Sequence, residues 1–155
     1  MNYTVEIDIN LPRERVIELF DDPNNMPKWQ TGLLSFEPLT GTPGHEGAKS
    51  KLIFKMGKSD IEMVETITRR ELPDYFDGTY DTKGVFNIVK NRFIEVGPNK
   101  TRWESENEFQ FTSLMMKVMG VLMKGAFPKQ SLQYMQDFKN FAENGVDVRD
   151  KGEGK

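Results

Sequence analysis

Residues 101–111 read TRWESENEFQF, with charged or amide side chains at the even positions and three aromatic ones, Trp103, Phe109 and Phe111, among the odd positions. Because side chains alternate across a strand, this stretch predicts a β-strand with one solvent face and one inward face. The inward face places Ser105 and Asn107 among the aromatic rings. Small polar groups among aromatic rings are more typical of a cavity wall than of a dry core. The sequence therefore predicts a container for a small molecule.

A strongly apolar helical stretch follows this strand, and its two halves differ. In residues 114–126, apolar side chains cover most of the helix circumference, and only two lysines and one glycine mark a polar edge. Residues 132–142 carry a narrower apolar stripe that is rotated relative to the first. Gly125 and Pro128 lie between the halves, where they either end one helix and begin another or kink a single helix.

The first half of the helical stretch is rich in methionine, an unbranched side chain that adapts to varied apolar shapes. Methionine usually fills gaps in a core, but this apolar arc is too wide for a helix packed on one sheet face alone. The surplus must cover a ligand, a partner protein or a bilayer surface. Lys117 and Lys124 flank the arc as in an interfacial helix, although two lysines are a weak membrane signal.

The remaining sequence predicts one further strand, two short helices and a run of hairpins. Residues 3–9 alternate between apolar and polar side chains, as in a strand buried on one face. Pro12 suits the first turn of a helix that ends at residues 21–23, and a short helix or turn follows at residues 26–29. Residues 32–111 are expected to form six consecutive strands, since Gly-containing turns favour antiparallel hairpins.

Four short motifs occur in this order of elements: INLP at 9–12, VIELFDDP at 16–23, MPKW at 26–29 and FKNFAE at 138–143. With them, residues 5–143 resemble the START-like (SRPBCC) superfamily, in particular its polyketide cyclase/dehydrase-like branch. The resemblance implies an α+β helix-grip fold: a curved antiparallel sheet of about seven strands around a long C-terminal helix, with two short helices after the first strand. It also implies a hydrophobic cavity between sheet and final helix. The superfamily includes lipid carriers, hormone receptors and cyclases, so no single activity is implied.

The length and the net charge of the chain limit how many domains it forms and which partners it binds. The 155 residues fit one domain, which we expect at residues 1–145, with a frayed tail at residues 146–155 that has little to bury. A formal net charge of −3 gives no overall field to attract nucleic acid, so no nucleic-acid partner is expected.

Several chemistries lack the residues they need. Without cysteine there is no disulfide or thiolate chemistry. His45 is the only histidine and lies in a Gly-containing loop, either as an exposed turn residue or as an acid–base group at a cavity mouth. One histidine argues against zinc, and neither a metal nor a cofactor is expected.

Residues 1–6 are neither basic nor apolar, and no segment has the ~20 apolar residues of a membrane span. We therefore expect a cytoplasmic protein without stable membrane insertion.

Glu65 is the candidate catalytic residue because it shares the inward parity of Met63 and Ile67. A buried carboxylate must be paired, neutralised or functional, since burial of a bare charge is costly. The alternatives are a bulge that turns Glu65 outward or pairing with an arginine such as Arg92. Tyrosines occur at positions 75 and 80 of one strand and face opposite ways, so at most one points inward.

The predicted function is binding of a lipid-like or aromatic small molecule in an apolar cavity under the final helix. The rival is a cyclase- or dehydratase-type enzyme in which Glu65 or a tyrosine moves protons, although no cyclase active-site motif is present. A third hypothesis is an interaction module whose Met-rich helix docks on another protein or on itself; the chain is expected to be a monomer or weak homodimer. The residues expected to contact the ligand are Phe54, Glu65, Trp103, Ser105, Asn107, Phe109, Phe111, Met119 and Met123.

Overall fold

The structure, a computed structural model, describes residues 1–150. Within this range lie seven β-strands, four α-helices and one 3₁₀ turn at Pro23–Asn25. The strands are β1 (Asn2–Ile9), β2 (Leu33–Thr40), β3 (Lys49–Met56), β4 (Ser59–Glu71), β5 (Tyr75–Thr82), β6 (Val85–Gly97) and β7 (Lys100–Phe111). The helices are α1 (Arg13–Phe20), α2 (Met26–Trp29), α3 (Leu114–Leu122) and α4 (Ala126–Asn144).

All seven strands form one antiparallel sheet in the order β1-β7-β6-β5-β4-β3-β2. Strands β2 to β7 are consecutive hairpins, and β1 closes the far edge by pairing with β7. The turns after β3 and β5 contain Gly57 and Gly84 with φ of 64° and 81°, a conformation that glycine adopts without strain. The predicted α+β helix-grip fold is confirmed, including the number of strands.

The C-terminal helical stretch is broken into two helices. Helix α3 begins at a cap in which the Ser113 hydroxyl accepts a hydrogen bond from the Met116 N–H. Helix α4 begins at Ala126, so Pro128 is its third residue, where an N–H would have no partner within the helix. Of the two alternatives for this segment, two separate helices is therefore correct.

An aromatic core fills one end of the space between the sheet and the helices. Phe20 of α1 lies at its centre, 5.0 Å from the Phe93 ring and 5.4 Å from the Trp103 ring between centroids. Phe138 of α4 is fully buried against the same group. Edge-to-face pairs of this kind add ~0.5–1.5 kcal/mol each beyond area burial. The buried members are Val5, Ile9, Val16, Trp29, Phe93, Trp103, Met135 and Phe138.

Charged groups tie the end of α1 to the sheet. The Arg70 guanidinium of β4 donates two hydrogen bonds to the Asp21 carboxylate, at 2.7 and 2.6 Å, and a third to the Gly44 carbonyl at 2.9 Å. Planar two-point pairing of this kind fixes geometry as well as adding energy. It holds the loop before β3 against the helix that carries Phe20.

The segment after α4 is described as far as residue 150. Its Val148 N–H donates to the Lys28 carbonyl at 2.9 Å, which holds residues 146–148 near α2. Residues 151–155, the end of the predicted frayed tail, lie outside the described residues. The domain boundary at residue 145 stays a prediction. Among residues 1–150, none of the helices has the length and apolar character that a membrane crossing requires.

Candidate functional site

A row of side chains crosses the middle of the sheet from β3 to β7. In the strand register, Ser50 lies opposite Glu65, and Glu65 lies opposite Tyr80. Tyr80 lies opposite Asn87, which lies opposite Phe109. Directly opposed residues in antiparallel strands point to the same face, so these five residues form one cross-strand row.

The row faces the helices. Phe109 packs on Phe127 of α4, with ring centroids 4.8 Å apart, and stacks on Tyr3 of β1 at 6.0 Å. The Tyr3 hydroxyl also reaches α4, where it lies 2.7 Å from the Ser131 hydroxyl. These contacts place the row on the concave side of the sheet, under the start of α4.

Glu65 and Tyr80 form a hydrogen-bonded pair within the row, in which Glu65 is buried and Tyr80 is half-buried. The Tyr80 hydroxyl donates to Glu65 Oε2 at 2.8 Å, and Glu65 is only 8% exposed. Burial raises the pKa of the Glu65 carboxyl, and the hydrogen bond from Tyr80 only partly opposes this effect. Burial and the neighbouring Glu65 charge hold the pKa of Tyr80 well above its usual range. Tyr80 therefore remains a proton donor, while Glu65 keeps its proton to a higher pH than an exposed glutamate does.

The expected alternatives for Glu65 do not occur. The β4–β5 bulge lies at residues 67–69, past Glu65, so the carboxyl stays on the inward face. Arg92 has Glu104 as its nearest acidic partner, at 3.9 Å. Tyr75 points to the opposite face from Tyr80, where the Arg69 guanidinium lies 3.8 Å from its ring centroid.

A cluster of phenylalanines lies beside the row. Phe109 stacks on Phe111 with centroids 6.3 Å apart, and the Phe127 ring lies 6.2 Å from that of Phe111. Helix α3 rests on Phe111 through Gly120, where an added Cβ would lie 2.7 Å from the ring. A glycine is required here because α3 approaches the aromatic ring too closely for any side chain.

The concave face beside the row is partly exposed to solvent. Met63, Val85 and Phe111 retain partial exposure, as do Tyr80 and Asn87 of the row. We call this region the concave groove. It consists of apolar and aromatic side chains around the Tyr80–Glu65 pair and Asn87, and small-molecule sites usually combine apolar surface with a few polar groups in this way. The residues that define the groove are Met63, Glu65, Tyr80, Val85, Asn87, Phe109, Phe111 and Phe127.

Three predicted site residues lie deeper in the sheet. Trp103 is 5% exposed in the aromatic core, and its indole N–H donates to Asn91 Oδ1 at 2.9 Å. Its ring therefore packs against Phe20 and Phe138, and the structure does not bring it to the groove. Ser105 and Asn107 point inward as predicted from the alternation, but Asn107 Nδ2 donates to Ser105 Oγ at 3.1 Å.

The other predicted residues divide between the groove and the surface. Glu65, Phe109 and Phe111 lie in the groove, and Phe54 is buried nearby against the ring of Tyr134. Met119 and Met123 lie on α3 and at its C-terminal end, and they are 43% and 45% exposed. The structure thus gathers part of the predicted set and leaves the two methionines about half exposed.

The predicted contact set leaves out Met63, Tyr80, Val85 and Asn87, and sequence reasoning did not consider Ser50 or Phe127 at all. Ser50 shares the parity of Leu52 and Phe54, so strict alternation along β3 could have placed it inward. Phe127 belongs to the first turn of α4, beside the helix break. No periodic signal identifies it, because neither apolar stripe continues across the break.

Two clefts occur on other parts of the described surface. One, of about 440 Å³, is lined by Arg13, Asp74, Tyr75, Arg92, Phe93, Ile94 and Glu95. The other, of about 290 Å³, is lined by Arg69, Tyr75, Asp77, Lys90, Arg92, Glu104 and Glu106. Both are lined mainly by charged side chains, and neither contains a residue predicted to contact the ligand. Within residues 1–150, no group of three or more His, Asp or Glu side chains is placed to hold a metal ion.

The seven-stranded sheet and the C-terminal helix over its concave face define a helix-grip protein of the START-like class. A family model described as polyketide cyclase / dehydrase and lipid transport matches residues 1–143, and the chain belongs to this family. Comparison with curated protein sequences gave no match.

Solved structures share the fold at low sequence identity. The Zhui aromatase/cyclase from Streptomyces sp. R1128 superposes with a TM-score of 0.77 at 10% identity, over 92% of this chain and 93% of that one. The TTHA0849 protein from Thermus thermophilus gives 0.75 at 12% identity, over 92% and 97%. The di-domain ARO/CYC StfQ of the steffimycin biosynthetic pathway gives 0.69 at 13% identity, over 94% of this chain and 45% of that one. At these identities the likeness establishes the fold alone.

Proposed function

We propose that this protein binds an apolar or aromatic small molecule in the concave groove. The observation that carries the proposal is the Tyr80–Glu65 hydrogen bond at 2.8 Å among half-buried aromatic and aliphatic side chains. The family to which the chain belongs, described as polyketide cyclase / dehydrase and lipid transport, supports this class of ligand.

In the groove, apolar side chains would supply the binding energy and polar side chains would orient the ligand. Phe109, Phe111 and Phe127 supply apolar surface, and burial of such surface is worth ~25 cal/mol per Å². The Tyr80–Glu65 pair supplies polar atoms that would fix a hydroxyl or carbonyl of the ligand. The preferred ligand is therefore a largely apolar molecule with one oxygen function, such as a lipid-like chain or a fused aromatic ring.

Binding is tested by native mass spectrometry of the purified protein and by displacement of an environment-sensitive dye. Val85→Trp places an indole in the groove and is expected to abolish saturable binding. Val96→Trp is the matched control, because Val96 lies on the same strand at 40% exposure and outside the groove. Absence of any retained molecule or saturable dye binding would refute the proposal, as would equal binding by both variants.

A second candidate function is catalysis in the same groove, with Glu65 as the catalytic residue. The observation that favours it is the buried position of Glu65, which raises the pKa of its carboxyl toward the range of a general base. In a dehydration, Glu65 would take the proton from the carbon next to a carbonyl and deliver it to the departing hydroxyl. A carbon–carbon double bond forms and one water leaves.

Glu65→Gln separates the two functions, because glutamine keeps the shape and polarity of the side chain without a titratable proton. A pure binding protein would keep its affinity and show no turnover before or after the change. An enzyme would convert a hydroxylated polyketide analogue with loss of one water by mass spectrometry, and Glu65→Gln would stop this conversion. Conversion that survives Glu65→Gln would remove Glu65 from the catalytic role.

The same proposal includes a cytoplasmic location, a monomer or weak homodimer, and no nucleic-acid partner. The formal net charge of −3 supports the last point, because nucleic-acid binding depends mainly on contacts between basic side chains and phosphates. Sedimentation velocity across a concentration series checks the oligomeric state.

A further inference from the structure

Helix α3 packs on the sheet through two residues and turns most of its large apolar side chains to the solvent. Its contacts with the sheet run through Gly120, which lies on Phe111, and through Met116, whose Cγ would lie 2.7 Å from a Cβ added at Gly84. The side chains on the other side of the helix are 53–78% exposed although all are apolar. These exposed residues are Leu114, Met115, Val118, Val121 and Leu122. We call them the α3 apolar face.

The arrangement is the reverse of an ordinary surface helix, whose apolar stripe faces the core. At about 100° per residue, the α3 apolar face lies opposite Met116 and Gly120. Packing on the sheet therefore does not account for these residues. A contiguous apolar patch of large side chains marks an interaction surface rather than the scattered exposure normal for soluble proteins.

The charge along this part of the chain is one-sided. Residues 110–136 contain three lysines, Lys117, Lys124 and Lys129, and no acidic residue, although the whole chain carries a net charge of −3. All three lysines are exposed. An apolar helical face flanked by lysines matches the boundary between acyl chains and anionic headgroups.

We propose that helix α3 docks on the surface of an anionic phospholipid bilayer. The α3 apolar face enters the acyl boundary, and Lys117, Lys124 and Lys129 contact the headgroup phosphates. Helix α3 also covers Phe111 at the edge of the concave groove, so docking would bring the groove to the membrane surface. The docking itself does not depend on whether the groove holds a ligand.

The test is co-sedimentation of the full chain with vesicles of phosphatidylcholine and phosphatidylserine at about 3:1, compared with phosphatidylcholine alone. The protein is expected to bind the anionic vesicles and to dissociate as salt is raised. Leu122→Glu is expected to weaken binding at least about tenfold, since it removes one apolar anchor and adds a negative charge. Lys117→Gln is expected to weaken it by about fivefold.

Leu34→Glu is the matched control, because Leu34 is 55% exposed on β2, at the opposite edge of the sheet from β1. It is expected to bind the vesicles like the wild type. Unchanged circular dichroism melting of the Leu122 and Lys117 variants shows that they are folded. Failure of the wild type to bind anionic vesicles would overturn the proposal, and so would equal loss in the Leu34 control. A concentration-dependent dimer that Leu122→Glu disrupts, without vesicle binding, would assign the face to a second copy of this chain instead.

Discussion

The substitution Tyr80→Phe tests whether the buried pair on β4 and β5 behaves as the geometry indicates. It removes the hydroxyl that donates to Glu65 at 2.8 Å and keeps the ring in place. Among residues 1–150, Tyr80 is the side chain that hydrogen-bonds this carboxylate, so the variant leaves Glu65 buried without a side-chain donor. A hydrogen bond to a charged group is worth ~1.5–3 kcal/mol and one between neutral groups ~0.5–1.5 kcal/mol. The loss should therefore be larger when Glu65 is ionised.

The pH dependence has a definite sign. Burial raises the pKa of Glu65 in the folded protein, so this group favours folding most at low pH, below its pKa in the unfolded chain. That contribution is lost as pH rises through the higher pKa of the folded state. Removal of the Tyr80 donor raises the folded-state pKa of Glu65 further. The destabilisation by Tyr80→Phe is expected to be smallest in mild acid and to grow toward neutral pH, where it reaches ~1.5–3 kcal/mol.

Urea unfolding from mild acid to slightly alkaline pH measures this dependence, with the free energy of unfolding as the readout. Tyr75→Phe is the matched control, because Tyr75 lies on the same strand with its ring beneath Arg69 on the opposite face. Its effect should be small and independent of pH. A Tyr80→Phe destabilisation that is the same at every pH would refute the reasoning, since the hydroxyl would then not be interacting with a titrating carboxyl.

Two further substitutions test the packing around the site. Phe138→Ala empties a fully buried position in the aromatic core and is expected to lower the free energy of unfolding by ~3–5 kcal/mol. Leu132→Ala on the same helix, at 43% exposure, should lower it much less. Urea unfolding measures both variants, and similar losses would contradict the assignment of Phe138 to the core. Gly120→Val forces a side chain into the Phe111 ring and is expected to loosen α3 at a cost of ~1–3 kcal/mol, seen as faster amide hydrogen exchange in that helix. Gly125→Val meets open space and should leave the exchange unchanged; equal effects would show that α3 does not rest on Phe111.

Alternation along strands predicted the faces of the sheet well. The inward positions of Ser105 and Asn107, read from the even and odd positions of β7, agree with exposures of 5% for both. The alternation of side chains along a strand does not predict which part of the inward face the helices cover. Trp103 has the same parity as Phe109, yet Phe20 and Phe138 cover it, and these residues come from distant elements. The distinction between core and groove therefore depends on tertiary packing.

For Glu65, the sequence predicted the direction of the side chain but not its hydrogen-bond partner. Its inward direction follows from neighbours two residues away, but its partner lies across the sheet on β5. The register of that pair depends on the β4–β5 turn and on a bulge past residue 67, and no local pattern fixes either one. The helix break behaved similarly. Gly125 and Pro128 indicated a discontinuity, but the position of α3 depends on the packing of Gly120 on Phe111 and of Met116 on Gly84.

The pairing of the first strand with the last has a consequence for synthesis of the chain. Strand β1 pairs only with β7, about a hundred residues later. The Met1 amino group also donates a hydrogen bond to the Phe109 carbonyl. During translation, Val5 and Ile9 therefore stay without their strand partner until β7 has left the ribosome. Contacts between such distant segments slow folding. Nascent chains that stop before β7 would lack the strand that pairs with β1.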